Sequence, residues 1–170
     1  GGGRFMLYGQ LDGTQSGIIA GDYYEYQVNG RMGWTDVPGA TCDNVVLDRT
    51  FQFQARASLT SSCSVVANDL AFGSHGGLRT AITGSTSVAV QCTEGTPYTV
   101  RLDGGSSGDI GNRRMRRNGI GPQSIGYGLY TDAQRTQTWG DGKRGGATVP
   151  GSGNGMVQTY TVHGRGPGQA

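Results

Sequence analysis

Apolar and polar residues alternate along several short stretches of this chain, most regularly between residues 51 and 59. In that stretch Phe51, Phe53, Ala55, Ala57 and Leu59 alternate with polar or charged residues. A period of two predicts a β-strand with one face buried. The same pattern, or a short apolar run, predicts further strands over residues 4–12, 21–28, 45–47, 63–67, 88–92, 98–102, 125–132 and 156–164.

Turn signals separate these strands. Asp12-Gly13, Asn29-Gly30 and Asn118-Gly119 are residue pairs typical of tight hairpin turns. In the strand before Asn29, we expect Tyr24, Tyr26 and Val28 to share one face. Residues 30–41 and 145–155 are rich in glycine with some proline and are predicted to be connections.

The elements together predict an all-β fold. Short strands follow one another at regular intervals, and no stretch has the apolar spacing of an amphipathic helix. Only 34% of the residues are apolar and 33 of 170 are glycine, about 19%, so the core must be thin, as in a two-sheet sandwich. The net charge of +2 is too small to argue for nucleic acid or an anionic membrane as partner.

The cysteines predict one disulfide. Cys92 shares the inward face of its strand with Val88 and Val90, where it can bridge to another inward cysteine, and we expect that partner to be Cys63. Three cysteines in a Gly- and Ser-rich β-protein favour an oxidising compartment. Cys42 is left over, either free or paired outside this chain. The triple-glycine start is typical of a processed product or a fragment.

The candidate catalytic and metal-binding motifs lack the neighbouring elements or partner residues that such sites require. Gly104–Gly108 has the letters of a nucleophile elbow, but it lies between predicted strands, whereas that motif needs a strand-to-helix turn. His75 and His163 have no third ligand at metal spacing. The run Arg113–Arg117 lacks interleaved aromatic residues and is predicted to be a solvated hairpin arm. We therefore expect no enzyme, cofactor or metal site.

Several motifs together resemble the spore coat protein U domain, a family that includes subunits and tip adhesins of archaic chaperone–usher pili. The resemblance covers most of residues 51–166, and its motifs occur in the family's order. They are Phe51–Leu59 leading to Cys63, Leu70-Ala-Phe72-Gly73, Val88–Thr93, Gly95–Gly104, Arg114-Met115, Leu129–Asp132, Arg135-Thr136 with Trp139-Gly140-Asp141, and Tyr160–Arg165.

The ends of the chain depart from the family pattern. Leu7–Gln10 resembles Val162–Arg165, and the Gly-x-Tyr strand that should follow the latter is found instead at Gly21-Asp-Tyr23. Residues 1–40 are therefore interpreted as terminal strands of a preceding domain copy plus a linker, and residues 41–170 as a spore coat protein U-like β-sandwich domain. Two-domain tip adhesins of the family have this layout.

The resemblance implies an immunoglobulin-like sandwich that is incomplete and is completed by a strand from a partner, which is donor-strand complementation. Phe51–Leu59 has the alternation of such a donor, and equally of the first strand of its own domain. The implied protein is a secreted subunit of an extracellular surface fibre, with periplasmic transit. Its partners would be neighbouring pilus subunits, a periplasmic chaperone and an outer-membrane usher.

Two other functions remain open from the sequence. One is a spore or cell-coat structural protein of the same fold. The other is a secreted carbohydrate-binding sandwich, in which exposed Trp34, Trp139 and tyrosines would form a sugar platform.

Overall fold

The protein is described by a computed structural model over residues 4–13, 15, 17–34, 38, 46–118 and 122–168. These residues form nine strands and two short 3₁₀ turns, with no α-helix among them, which confirms the all-β prediction. No helix in this part of the chain has the length and hydrophobicity needed to cross a membrane. The strands are β1 (Gly21–Trp34), β2 (Val46–Leu59), β3 (Cys63–Ala67), β4 (Ile82–Cys92), β5 (Pro97–Val100), β6 (Arg113–Arg116), β7 (Ser124–Tyr130), β8 (Val149–Ser152) and β9 (Val157–Gly166).

The chain divides into two compact units, Gly1–Ile18 with Ser61–Ala170, and Ile19–Thr60. We call the first the body and the second the ribbon. The predicted domain boundary between residues 40 and 41 stays a prediction, because both of those residues lie outside the described part of the chain.

The body has the two layers of a sandwich, and the layers are unequal. One is a five-stranded sheet of order β3-β4-β9-β7-β6, and the other contains only β5 and β8. All the pairings within these sheets are antiparallel. The buried core between the layers consists of Val88, Val90, Cys92, Trp139 and Val162. We call the face of the five-stranded sheet that carries Val88, Val90 and Val162 the inner face.

Trp139 and Arg113 hold the centre of the body together. Trp139 is 1% exposed and donates its indole N–H to the carbonyl of Val100 on β5 at 3.2 Å. Arg113 is also 1% exposed, and its guanidinium donates to the carbonyls of Asp103, Leu102 and Trp139. The prediction of a solvated arginine arm is therefore wrong at Arg113. Buried carbonyls at the ends of neighbouring segments need donors, and one guanidinium supplies several.

The ribbon is an antiparallel pair of β1 and β2 with one apolar face. Phe51, Phe53, Ala55, Ala57 and Leu59 lie on this face opposite Gly30, Val28, Glu25, Tyr23 and Gly21 respectively. The register shifts between Glu25 and Val28, which places Tyr24 opposite Arg56 on the polar face. The expectation that Tyr24 and Val28 share a face is therefore wrong, because one extra residue in a strand reverses the side-chain alternation.

Asn29-Gly30 does not form the predicted turn. Strand β1 continues through it to Trp34, with Gly30 directly opposite Phe51. A Cβ at Gly30 would lie 2.1 Å from Cζ of the Phe51 ring, so the ring crosses the partner strand at this position. The glycine is needed here for close approach of an aromatic ring.

Two other predictions of local structure are corrected. Residues 4–12 form no strand, because none of the described strands pairs with them to bond their backbone groups. The predicted loop at residues 145–155 contains β8, which pairs with β5. Pro150 and Gly151 made this segment resemble a loop in the sequence. Proline is tolerated here because each strand of a two-stranded sheet has an edge without a partner. Gly151 leaves room for the Tyr98 ring.

Candidate functional site

Beside β3, the described residues leave the inner face of the five-stranded sheet uncovered. Val65 of β3 lies directly opposite Val90 of β4, so both side chains point to the same face. Val90 is 5% exposed, whereas Val65 is 67% exposed. The same contrast holds for Cys92, which is 1% exposed, and its exposed partner Cys63. An apolar strip at the end of the sheet therefore lacks the cover that the rest of the face has.

The edge of β3 that has no partner among the described strands also presents backbone groups. The amide of Asn68 donates to the carbonyl of Ser87, and the amide of Thr93 to the carbonyl of Ser62, which fixes the even-numbered residues as those bonded to β4. In an antiparallel pair the intervening residues point their N–H and C=O groups away from the partner. Cys63, Val65 and Ala67 thus direct their backbone groups outward along the sheet, where another strand could pair, and their side chains to the inner face.

The uncovered strip results from the unequal layers. The two-stranded sheet covers the centre of the inner face through Tyr98, Val100 and Val149, which pack against the core. Elsewhere the inner face is crossed by the segment 70–72. A Cβ at Gly164 would lie 2.7 Å from Leu70 and 2.9 Å from Phe72, so these side chains rest on bare backbone. Neither cover reaches Val65.

A disulfide fastens the edge strand. Cys63 and Cys92 are bonded across β3 and β4, as predicted, with their Cα atoms 4.1 Å apart. The bond holds an exposed strand of five residues on the sheet even though little apolar contact secures it. Cys42, the third cysteine, lies outside the described residues.

Tyr98 and Tyr160 form a hydrogen-bonded pair beside this region. Their hydroxyl groups are 2.6 Å apart, and the Tyr98 hydroxyl also donates to Oε1 of Gln158 at 2.9 Å. Burial, together with the hydrogen bond to Tyr160, raises the pKa of Tyr98 to about 12. Gln158 of β9 lies opposite Val90 of β4, so this polar cluster occupies the inner face two strands away from the exposed Val65 of β3.

The predicted donor residues lie together on the ribbon. Phe51, Phe53 and Leu59 are 45%, 38% and 38% exposed, and they share the apolar face with Ala55 and Ala57. One edge of β2 pairs with β1 and its other edge has no partner among the described strands. The choice between a donor strand and a first strand of its own domain stays open at this level.

The family-like motif Leu129–Asp132 with Arg135 has a structural explanation. The Asp132 carboxylate accepts hydrogen bonds from the amides of Thr136 and Gln137, and these bonds lower the pKa of Asp132. Arg135 has a positive φ of 58° and donates Nε–H to the carbonyl of Gly164 on β9 at 3.0 Å. The motif thus builds a tight turn and fastens it to the five-stranded sheet.

The residues considered for catalysis or sugar binding are dispersed. Ser106 donates its hydroxyl to the carbonyl of Arg114, and His75 contacts the carbonyl of Phe72 at 2.6 Å. In the described ranges no three His, Cys, Asp or Glu side chains are grouped as a metal site requires. Trp139 is buried in the core, so it cannot join the aromatic platform expected for sugar binding, whereas Trp34 is 53% exposed.

Comparison with known proteins identifies the fold's relatives. The sequence matches the Spore Coat Protein U domain over residues 49–170, which is most of the chain. The chain belongs to this family. No curated protein matches the sequence significantly. The spore coat protein U domain of this chain thus accounts for the order of motifs from Phe51 to Arg165.

A solved structure shares the fold. It is the crystal structure of the CsuC–CsuE chaperone–tip adhesion subunit pre-assembly complex from the archaic chaperone-usher Csu pili of Acinetobacter baumannii. One of its chains superposes with a TM-score of 0.61 at 14% sequence identity, covering 90% of this chain and 56% of that chain. The present chain therefore spans about half the length of that neighbour.

The sequence did not reveal where the sandwich is open. The stretch Cys63-Ser-Val65-Val-Ala67 predicts an ordinary core strand. It is exposed because the described second layer has only two strands, and neither covers it. Only a correct number of strands for that layer could have indicated the exposure. Because β8 lies in a segment predicted to be a connection, the sequence did not give that number.

Proposed function

We propose that this chain is a non-catalytic structural or adhesive subunit of an extracellular fibre of the archaic chaperone–usher type, assembled by donor-strand complementation. The observation that carries the proposal is Val65, which faces the core and is nevertheless 67% exposed. A strand added beside β3 would bond its free backbone groups and cover this side chain.

The ribbon supplies the donor in this proposal. Its strand β2 has an apolar face of five alternating residues, Phe51 to Leu59, which matches the alternating inner face of β3. A two-stranded ribbon with an exposed apolar face is marginally stable in water. Insertion into the body of a neighbouring subunit buries that face.

The assembly route follows from the same exposed surfaces. An open apolar strip and a free strand edge promote aggregation unless they are covered. A periplasmic chaperone would cover them before an outer-membrane usher guides exchange for the neighbour's strand. Support comes from the family and from the fold shared with a chaperone-bound pilus subunit.

Paired variants on opposite faces of β2 test the proposal. Phe53 lies on the apolar face and its neighbour Gln54 on the polar face. We expect the full chain to form oligomers that grow with concentration in light scattering after size exclusion. Phe53→Asp should abolish them because it places a charge in an apolar groove, and Gln54→Asp should not.

Two results would contradict the proposal. One is a chain that remains monomeric at every concentration. The other is equal assembly of Phe53→Asp and Gln54→Asp, because strand insertion depends on the apolar face alone.

A further inference from the structure

The outer face of the five-stranded sheet carries an arginine-rich surface at the β6–β7–β9 end. Arg114 lies opposite Gly126, and Arg165 lies opposite Gly128, so these residues share one face. Arg116 lies opposite Ser124 on the same face. Since adjacent strands are about 4.8 Å apart, Arg114 and Arg165 flank β7 at roughly 10 Å across the sheet. We call this surface the arginine face.

A cleft lies at the Arg165 side of the arginine face, and its lining includes neither Arg114 nor Arg116. It has a volume of about 310 Å³ and is lined by residues that include Gly126, Gly128, Tyr130 and Arg165. A Cβ at Gly126 would meet no atom within 4 Å, so its floor is open backbone. This volume is at the lower end of the range for small-molecule sites.

The positive charge of this face is not neutralised locally. Strands β6, β7 and β9 contain no acidic residue. Arg114 donates to the hydroxyl of Ser124 at 3.3 Å, and the described residues provide neither Arg116 nor Arg165 with an acidic partner. Arginines without carboxylate partners are available to an anionic ligand.

We propose that the arginine face binds an anionic sugar residue of an acidic polysaccharide, through its carboxylate or sulfate group. The planar guanidinium pairs with such groups through two parallel hydrogen bonds. The open floor at Gly126 accommodates a saccharide ring, and the hydroxyl of Tyr130 lies beside Gly128. This proposal does not depend on strand complementation.

The same features argue against a nucleic acid as the ligand. Binding of single strands uses exposed aromatic side chains on which successive bases stack. Tyr130 is the aromatic residue of this face and is half-buried, so it offers no row of stacking platforms. The net charge of the chain is only +2, whereas nucleic-acid binding relies on many phosphate contacts.

The test is binding of defined oligosaccharides to the full chain by isothermal titration calorimetry. The probes are tetragalacturonic acid for carboxylate, a heparin tetrasaccharide for sulfate, and maltotetraose as the neutral control. We expect binding of at least one acidic probe, none of maltotetraose, and weakening as salt is raised from 20 to about 150 mM because screening shortens the range of exposed charges.

Two pairs of variants separate the site from general charge. Arg114→Gln with Arg165→Gln should weaken binding about tenfold or more, because charge-assisted hydrogen bonds are lost. The matched control is Arg56→Gln with Arg79→Gln, two exposed arginines outside this face. Gly126→Val should block the cleft without unfolding the strand, whereas Gly76→Val, also in open space but in a loop, should leave binding unchanged.

Circular dichroism melting of each variant checks that the fold is retained. The proposal is overturned if neither acidic probe binds, or if the control arginine pair reduces affinity as much as the site pair. Tighter binding of a thymidine octanucleotide than of either acidic sugar would also overturn it, in favour of a nucleic-acid surface.

Discussion

Replacement of Val65 by threonine should separate the stability of the free chain from its capacity to accept a strand. Threonine keeps the branched shape and the strand preference of valine and adds one hydroxyl group. In the free chain Val65 is 67% exposed, so water can hydrate that hydroxyl. We expect the melting temperature to change little.

Strand insertion removes that water. Burying a hydroxyl without a hydrogen-bond partner costs about 1–3 kcal/mol in protein mutational data. Two thirds of the side chain passes from exposed to covered on insertion, so the cost assignable to binding is about 0.7–2 kcal/mol. This corresponds to a dissociation constant raised about 3- to 30-fold.

Val66 provides the matched control on the same strand. It is 65% exposed but lies opposite Ala89 and faces the outer side of the sheet. Val66→Thr should leave the affinity unchanged, since the inserted strand would not cover it. The assay is titration of each variant with a synthetic peptide spanning Phe51–Leu59. Equal affinities for Val65→Thr and the unmodified chain would refute the reasoning that the inner face beside β3 is the acceptor.

The disulfide and the tyrosine pair provide two further predictions. Replacing Cys63 and Cys92 together by alanine should lower the free energy of unfolding in urea by about 3.6 kcal/mol, the loop-entropy value for their sequence separation of 29; a loss under about 1 kcal/mol would show that the denatured chain is not constrained by this bond. The pKa of Tyr98 is raised to about 12 in the folded chain, while an unfolded tyrosine ionises near pH 10. The contribution of Tyr98 to the free energy of unfolding should therefore be complete below about pH 10 and decline as the pH rises toward 12. Tyr98→Phe should remove that decline in melts recorded across this range, and an unchanged decline would mean that another group causes it.

The strand pattern was predictable wherever alternation and a partner strand coincide. The face shared by Phe51, Phe53 and Leu59 follows from period-two spacing, and so does the inward position of Cys92, which bonds to Cys63 as predicted. Residues 4–12 contain the apolar run Phe5–Tyr8 and were also predicted as a strand, yet they form none. Alternation shows what a segment can do in a sheet, and pairing depends on a neighbour that a local pattern does not specify.

The errors at glycine and arginine have a common physical origin. Gly30 has the local signature of a turn, but it lies in a strand, where its lack of a side chain leaves room for the ring of Phe51 on the partner strand. Arg113 belongs to a run of charges that predicts solvation, yet its guanidinium donates to three carbonyls from two other segments. In both cases the deciding contact comes from a residue distant in sequence, so no window of neighbouring residues contains the information.

The sequence predicted that an acceptor groove exists, but it did not predict where the groove lies. The family resemblance implied a sandwich lacking a strand, while only the three-dimensional count of strands locates the gap beside β3. The exposed fraction of Val65 against that of Val90 then identifies the side chain that the missing strand would cover.

Amide hydrogen exchange along β3, resolved by residue, tests the central claim most directly. The amides of Val65 and Ala67 point to the free edge, whereas those of Ser64 and Val66 bond to β4, so the strand contains its own control. We predict that Val65 and Ala67 exchange rapidly in the monomeric chain and become protected on assembly or on addition of the Phe51–Leu59 peptide, with Ser64 and Val66 little changed. Unaltered exchange of Val65 and Ala67 in the assembled or peptide-bound chain would contradict strand insertion at β3.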